Sequence, residues 1–265
     1  MTKQYSEIKD QIKPLDLLLF RGNDFISDTI KEFEWLLEGC GEFSHAGLVV
    51  DNKILPFVSQ LKDDHLYVWE STMSGSCDGY NKSGGVPDIE IGKGRFGVQI
   101  RDLEDVIISY EETNKSNVNE NKNTAVAWCQ LIKNPFLTND DNRKEIIDEL
   151  NRFHTQYGFR KYELNPLVLL SAIFGCCRKL RNDYDKMSIM GHNILVKFGK
   201  AYGKEDDEDI DEESVFCSQF VTMIYKRLNI IPKNIRSSDI SPVDFLLARK
   251  IEKLVADPVY IIPDK

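Results

Sequence analysis

The chain has 265 residues, 42% of them hydrophobic and 10% aromatic, enough to bury a substantial core in one elaborated domain, residues 1–265. Its 34 Lys and Arg stand against 43 Asp and Glu, a net charge of −9, and the basic residues are scattered without interleaved aromatics, which argues against a nucleic-acid partner. The polar N-terminal decapeptide lacks the apolar run of a secretory signal, no window approaches the roughly 18 apolar residues of a transmembrane span, and the six cysteines follow no regular framework, so a cytoplasmic protein with reduced thiols is expected.

Residues 15–20, Leu-Asp-Leu-Leu-Leu-Phe, predict a buried strand. Asn23 or Asp24 can cap a following helix in which Ile26, Ile30, Phe33 and Leu37 share a face up to Gly39. A strand is expected over Ser44–Val50, then a turn at Asp51-Asn52-Lys53 and an apolar hairpin partner over Ile54–Val58; Leu66–Glu70 reads as a third strand of period two. Antiparallel sheet thus dominates the first third. Residues 71–97 predict a long loop of the kind that borders sites, with a short strand around Val86–Ile91, and Gly97–Arg101 returns to extended structure. Glu111–Asn123 is polar and reads as an exposed connection. Helices are expected over Ala125–Lys133, over Asp141–Tyr157 with Ile146, Leu150, Phe153 and Tyr157 aligned, over Asn165–Leu180 with Pro166 in the first turn, and over Met187–Phe198. They make a helical insert spanning residues 125–205, which the acidic, solvated segment Lys204–Glu213 separates from the last helix.

That last helix carries the clearest chemical signal. Phe216, Phe220, Ile224 and Leu228 recur every four residues, and Cys217 stands at the start, where Ser214 or the acids before it can cap the free amides. A cysteine in a first helical turn meets the positive end of the helix dipole and unpaired N–H groups, which favour a thiolate and hold an oxyanion nearby. A small buried packing residue fits the same position, so position alone leaves both readings open.

A nucleophilic cysteine needs a base, usually histidine, and the base needs a polar partner to orient it. Of the four histidines, His45 lies in Ser-His-Ala-Gly-Leu-Val-Val, a strand whose Ala46 and Gly47 leave room for the close approach of another element. His65, His154 and His192 fit surface or packing roles better. Glu70, at the end of its strand, is the candidate orienting carboxylate, although a solvated rim residue reads the same way. There is no CxxC pair and no HExxH, so neither a metal site nor a cofactor is expected.

Five blocks in order carry a resemblance: Pro14-Leu-Asp-Leu-Leu-Leu-Phe-Arg-Gly-Asn, Phe43-Ser-His-Ala-Gly-Leu-Val-Val, Val68-Trp-Glu-Ser-Thr, Phe216-Cys-Ser-Gln-Phe-Val and Ser238-Asp-Ile-Ser-Pro-Val-Asp-Phe. Together they resemble the circularly permuted NlpC-like, papain-fold proteins, among them bacterial YiiX-type proteins, a poxviral family and, more distantly, lecithin retinol acyltransferase. The order His, Glu, Cys inverts the ordinary papain order and is similar to that of the permuted branch. The resemblance implies an α+β, permuted papain-like fold, an antiparallel sheet packed on the nucleophile helix with a helical insert. It implies Cys217 as nucleophile, His45 as general base and Glu70 as the residue orienting the imidazole. The segment Tyr157-Gly-Phe-Arg-Lys-Tyr-Glu resembles a Tyr-Glu block of relatives, which puts Tyr162 near the oxyanion; a core aromatic fits there equally. Ser218 beside the nucleophile joins Tyr162 in the expected substrate-binding set, with the Cys217 N–H as the other oxyanion donor.

The implied activity is hydrolysis or acyl transfer on an amide, ester or thioester of a peptide or acyl lipid; the competing reading is a non-catalytic lipid- or peptide-binding module that keeps the fold. Phe174-Gly-Cys-Cys-Arg-Lys-Leu-Arg fits a buried helix with a basic last turn better than an acylated or membrane-lying one, which leaves peripheral membrane contact as a secondary expectation.

Overall fold

In a computed structural model, which describes residues 1–21, 43–72, 85–116, 125–138, 140–162, 214–247 and 251–264, the chain is α+β with a mixed seven-stranded sheet. Its strands in chain order are β1 (Thr2–Gln4), β2 (Leu17–Arg21), β3 (His45–Val50), β4 (Tyr67–Thr72), β5 (Gly97–Asp102), β6 (Ala125–Cys129) and, last, β9 (Val259–Ile262). Across the sheet they run β1-β9-β6-β2-β3-β4-β5, antiparallel at every junction except the parallel β1–β9 pair. A separate two-stranded parallel ribbon joins β7 (Lys161–Tyr162) to β8 (Ser214–Val215). The helices are α1 (Tyr5–Ile8), α2 (Leu103–Ser116), α3 (Pro135–Thr138), α4 (Asp140–Tyr157), α5 (Cys217–Arg227) and α6 (Asp244–Leu247). Among the described residues, no helix is long and apolar enough to cross a membrane.

Both faces of the sheet are covered, which is why Leu17, Leu18, Leu19 and Phe20 form an unbroken apolar run instead of alternating with polar residues. Leu17, Leu19, Ala46, Leu48, Trp69 and Ile100 point to the face that carries α4 and α5. Trp69 meets Phe153 of α4 and Phe220 of α5 edge-on, with ring centroids 5.8 and 5.3 Å away. Leu18, Phe20, Val49, Val68 and Trp128 point to the other face, where Leu103, Val106 and Ile107 of α2 and Tyr5 and Ile8 of α1 cover them. Asp16, buried just before β2, fastens the centre: it accepts from the Trp128 indole at 2.7 Å, from the Leu131 amide at 2.9 Å and from the Lys13 amide at 2.9 Å. Tyr225 of α5 donates its hydroxyl to the Leu15 carbonyl at 2.8 Å, tying the cysteine helix to the same turn.

The strands at residues 17–21, 45–50, 67–72 and 97–102 and the helix at 140–157 lie where the sequence predicts them, within a residue or two. Ala125–Lys133 does not form the expected helix. Ala125–Cys129 is β6, hydrogen-bonded between β2 and β9, so this segment belongs to the main sheet and helical structure resumes only at Pro135. A five-residue apolar run carries no periodicity that separates a buried strand from a buried helix, and the strands on either side decide it. Ile54–Val58 forms turns instead of a hairpin strand: Asp51 Oδ1 accepts the Lys53 and Ile54 amides, both at 3.0 Å, and Ile54, Leu55 and Val58 enter the core from irregular chain while β4 takes the place beside β3. Val86–Ile91 contributes a single bridge, Asp88 to Lys93, in place of a strand.

The helix α2 is not anticipated, although Asp102 Oδ1 caps it by accepting the Glu104 and Asp105 amides at 3.0 and 3.2 Å and Leu103, Val106 and Ile107 share its buried face. It extends into the segment read as a polar connection. The helix expected over 23–39, residues 73–84 of the 71–97 loop, residues 117–123, the helices expected over 165–180 and 187–198 and the acidic segment 204–213 lie outside the described residues.

Candidate active site

Cys217 is the first residue of α5 and is 3% exposed. Phe216, in extended conformation, occupies the cap position, not Ser214, which pairs with Lys161 in the β7–β8 ribbon, and Gln219 Oε1 reaches back to accept the Phe216 amide at 3.3 Å. Of the first-turn amides, that of Ser218 donates to the Cys217 sulfur. The turn is held from two sides. Ser71 at the end of β4 donates to the Val215 carbonyl at 2.6 Å, and Ser218 donates its hydroxyl to the Ile240 carbonyl at 2.7 Å. The segment after Ile240 is fixed in turn by Asp244, whose Oδ2 accepts the Ser241 amide and hydroxyl at 2.8 and 2.9 Å. The fifth sequence block thus buttresses the fourth.

The sheet supplies the rest. β3 pairs with β2 as far as His45, but with β4 only from Val50 back to Leu48. Where that pairing stops, the Ala46 amide is free of β4 and donates to the Cys217 sulfur. Although α5 lies against one face of the sheet, the sulfur meets the imidazole of His45, on the other face, at this splayed end. His45 packs on Phe20, with ring centroids 5.1 Å apart. Its Nε2 contacts Glu70 Oε2, and the nitrogen left for the sulfur is Nδ1. The other oxygen of Glu70, Oε1, accepts from Arg101 Nε at 2.7 Å and from Arg101 Nη2. Register explains the meeting: Glu70 faces Gln99 and Val68 faces Arg101 across β4–β5, so Glu70 and Arg101 stand on one face, two residues offset. Gly47 is required here by close approach, since a Cβ on it would lie 2.6 Å from Val68 Cγ2 and 3.2 Å from Glu70 Cβ.

The electrostatics follow from burial opposed by partners. Burial alone disfavours the imidazolium, yet the Cys217 thiolate and then Glu70 outweigh it and push the His45 pKa up to about 10. Burial likewise opposes the thiolate, but the charge and hydrogen bond of His45, with the amides of Ala46 and Ser218, hold the Cys217 pKa below the ordinary thiol value. Glu70 is fully buried, and Arg101 first and His45 second keep its carboxyl below the usual range. Both directions favour a thiolate–imidazolium pair over the neutral pair, with an ionised carboxylate behind it. Cys129 shows the contrast: burial beside Asp16 pushes its thiol up to about 12.

The three residues singled out as nucleophile, base and orienting carboxylate are therefore together. Ser218 is beside them, but its hydroxyl is committed to Ile240 and only its amide faces the sulfur. Tyr162 is in register with Val215, two residues before Cys217, and its side chain lies outside the described residues. His65, 45% exposed, lies 3.6 Å from Asp102, and His154 packs on Trp69 with Nε2 3.1 Å from Glu90; both are apart from the site, and His192 is outside the described residues. Arg101 is the site residue that sequence reasoning misses. Its signal was the alternation Gln99-Ile100-Arg101, which marks a polar face and is indifferent to whether that face is buried. No protein-family model and no curated protein matches the chain.

Proposed function

We propose that the chain is a cysteine hydrolase or acyltransferase of permuted papain-like, NlpC-like fold, acting on an amide, ester or thioester carbonyl of a peptide or acyl lipid. The observation that carries this reading is the contact sequence Cys217 sulfur, His45 ring, Glu70 carboxylate, with the cysteine at a helix N-terminus. The three residues come from strands and a helix distant in sequence, and the raised His45 and lowered Cys217 pKa directions support the reading.

In this reading the Cys217 thiolate attacks the carbonyl carbon, forming a C–S bond as the carbonyl π pair moves onto oxygen. The Cys217 amide is the proposed donor to that oxyanion. As the tetrahedral intermediate collapses, the bond to the leaving nitrogen, oxygen or sulfur breaks and the His45 imidazolium gives that atom its proton. Neutral His45 then takes a proton from water or from an acceptor alcohol or amine, which attacks the thioester and restores the thiolate. Glu70 keeps the proton-bearing Nε2 pointed away from sulfur throughout.

The test is labelling with a chloroacetamide probe at neutral pH, mapped by mass spectrometry over all six cysteines. Cys217 is expected to be modified first and stoichiometrically, Cys217→Ala to abolish that adduct, and His45→Ala to slow it by about tenfold or more while the fold is kept. Equal labelling of Cys217 and Cys129 would remove the nucleophile.

A further inference from the structure

We infer that Arg101 is a positioning residue of this site: by gripping one oxygen of Glu70 it fixes the other on His45 and balances the buried charge that lets Cys217 rest as a thiolate. The inference rests on the nucleophile reading above. Arg101 is 3% exposed and Glu70 fully buried, so neither answers to bulk water. The carboxylate is divided cleanly, Oε1 to Nε at 2.7 Å and to Nη2 of Arg101, Oε2 to Nε2 of His45. Two nitrogens on one oxygen fix the carboxylate plane as a single ammonium would not, and that plane sets the tilt of the imidazole whose Nδ1 meets the sulfur.

The charge count makes the role specific. Among the described residues, the groups acting on the carboxylate and the ring are Arg101 from β5, His45 from β3 and Cys217 from α5, with Glu70 itself from β4. Thiolate and carboxylate are two negative charges; imidazolium and guanidinium are two positive ones. Without Arg101, two buried anions share one cation, and the cluster regains balance by taking up a proton. A proton on sulfur removes the nucleophile; a proton on Glu70 removes the acceptor that orients His45. Removing the Glu70 charge together with Arg101 leaves thiolate and imidazolium paired and neutral, a rescue that a purely packing role of Arg101 would not produce.

The measurement is the iodoacetamide alkylation rate of Cys217 as a function of pH, with thermal melts, for the native protein and for Arg101→Met, Arg101→Lys and the double variant Arg101→Met/Glu70→Gln. The native midpoint should lie below that of an ordinary thiol. Arg101→Met should move the midpoint up by about one pH unit or more, which is about tenfold in rate on the acid limb. Arg101→Lys should move it less, and the double variant should bring it back to within about half a unit of native. An Arg101→Met profile that superimposes on the native one overturns the assignment, and so does a double variant with its midpoint still raised by about a unit. If Arg101→Met does not fold, the double variant, which buries no unpaired charge, decides on that same criterion. A native Cys217 that alkylates only above about pH 8 would instead sink the nucleophile reading on which this rests.

Discussion

At Cys217 two opposing tendencies are resolved by position. Burial by itself would make the thiol inert, as it does for Cys129, and what reverses the outcome is the set of donors around the sulfur: the His45 ring and the amides of Ala46 and Ser218. The pH dependence follows with a definite sign. The proposed acyl transfer needs thiolate and imidazolium together, so that activity should be lost as pH falls through the lowered Cys217 pKa and as pH rises through the His45 value of about 10. A hydrolysis rate with the small activated ester p-nitrophenyl acetate should be flat across neutral pH and fall near that alkaline value; an ordinary imidazole limb near about pH 6.5 would contradict it. Stability carries the same signs. The raised His45 pKa contributes fully below the ordinary imidazole value of about 6.5 and is lost as pH climbs through the folded one, whereas Glu70, held low by Arg101 and His45, contributes above the ordinary carboxylate value and is lost in acid. The meeting of Cys217 and His45, the proposed nucleophile and base, was legible because a cysteine before a helical stripe and a histidine between small strand residues carry their own local reasons. Arg101 was not: its partner is set by a register between strands that no local pattern encodes.

At the scale of the element, β5 shows what alternation leaves unsaid. Val98 and Ile100 point to the α5 face and Gln99 and Arg101 to the other, as a period-two reading requires, yet all four are buried. Arg101 finds Glu70, while the Gln99 side-chain amide, directly across from Glu70, has both its polar atoms buried without a hydrogen-bond partner. Polar alternation reports which residues share a face, and the packing of distant elements decides whether that face meets water. The misread of Ala125–Cys129 has a related origin, since the identity of a short apolar run is settled by β2 and β9 beside it. The helix α5 was legible in place and face, but its anchors were not. Ser218, sequence neighbour of the nucleophile, spends its hydroxyl on the Ile240 carbonyl, so Ser218→Ala should lower unfolding free energy by about 1–2 kcal/mol in chemical denaturation. The same variant should leave the Cys217 alkylation rate within about threefold of native, because the amide that faces the sulfur is retained; a large loss of reactivity with unchanged stability would assign the hydroxyl to the chemistry instead.

Across the whole molecule, the sheet is the device that brings residues 45, 70, 101 and 217 together. β3, β4 and β5 are consecutive antiparallel neighbours, so His45, Glu70 and Arg101 stand side by side on one face, and α5 delivers Cys217 from the other face at the point where β3 and β4 part. The ribbon of β7 and β8 leads directly into that helix, with Tyr162 in register with Val215. The chain order of histidine and carboxylate on the sheet followed by a cysteine on a late helix is thus a consequence of the topology, and it is the order on which the permuted papain-like reading stands. The central claim is that this assembly forms an acyl-enzyme at Cys217. Its most direct test is rapid quench of the protein with p-nitrophenyl acetate followed by intact and peptide mass spectrometry. The account predicts a burst of one equivalent of p-nitrophenolate with one acetyl group on Cys217, absent in Cys217→Ala; acetyl spread over lysines and other cysteines, at the same rate in native protein and in His45→Ala, would contradict it.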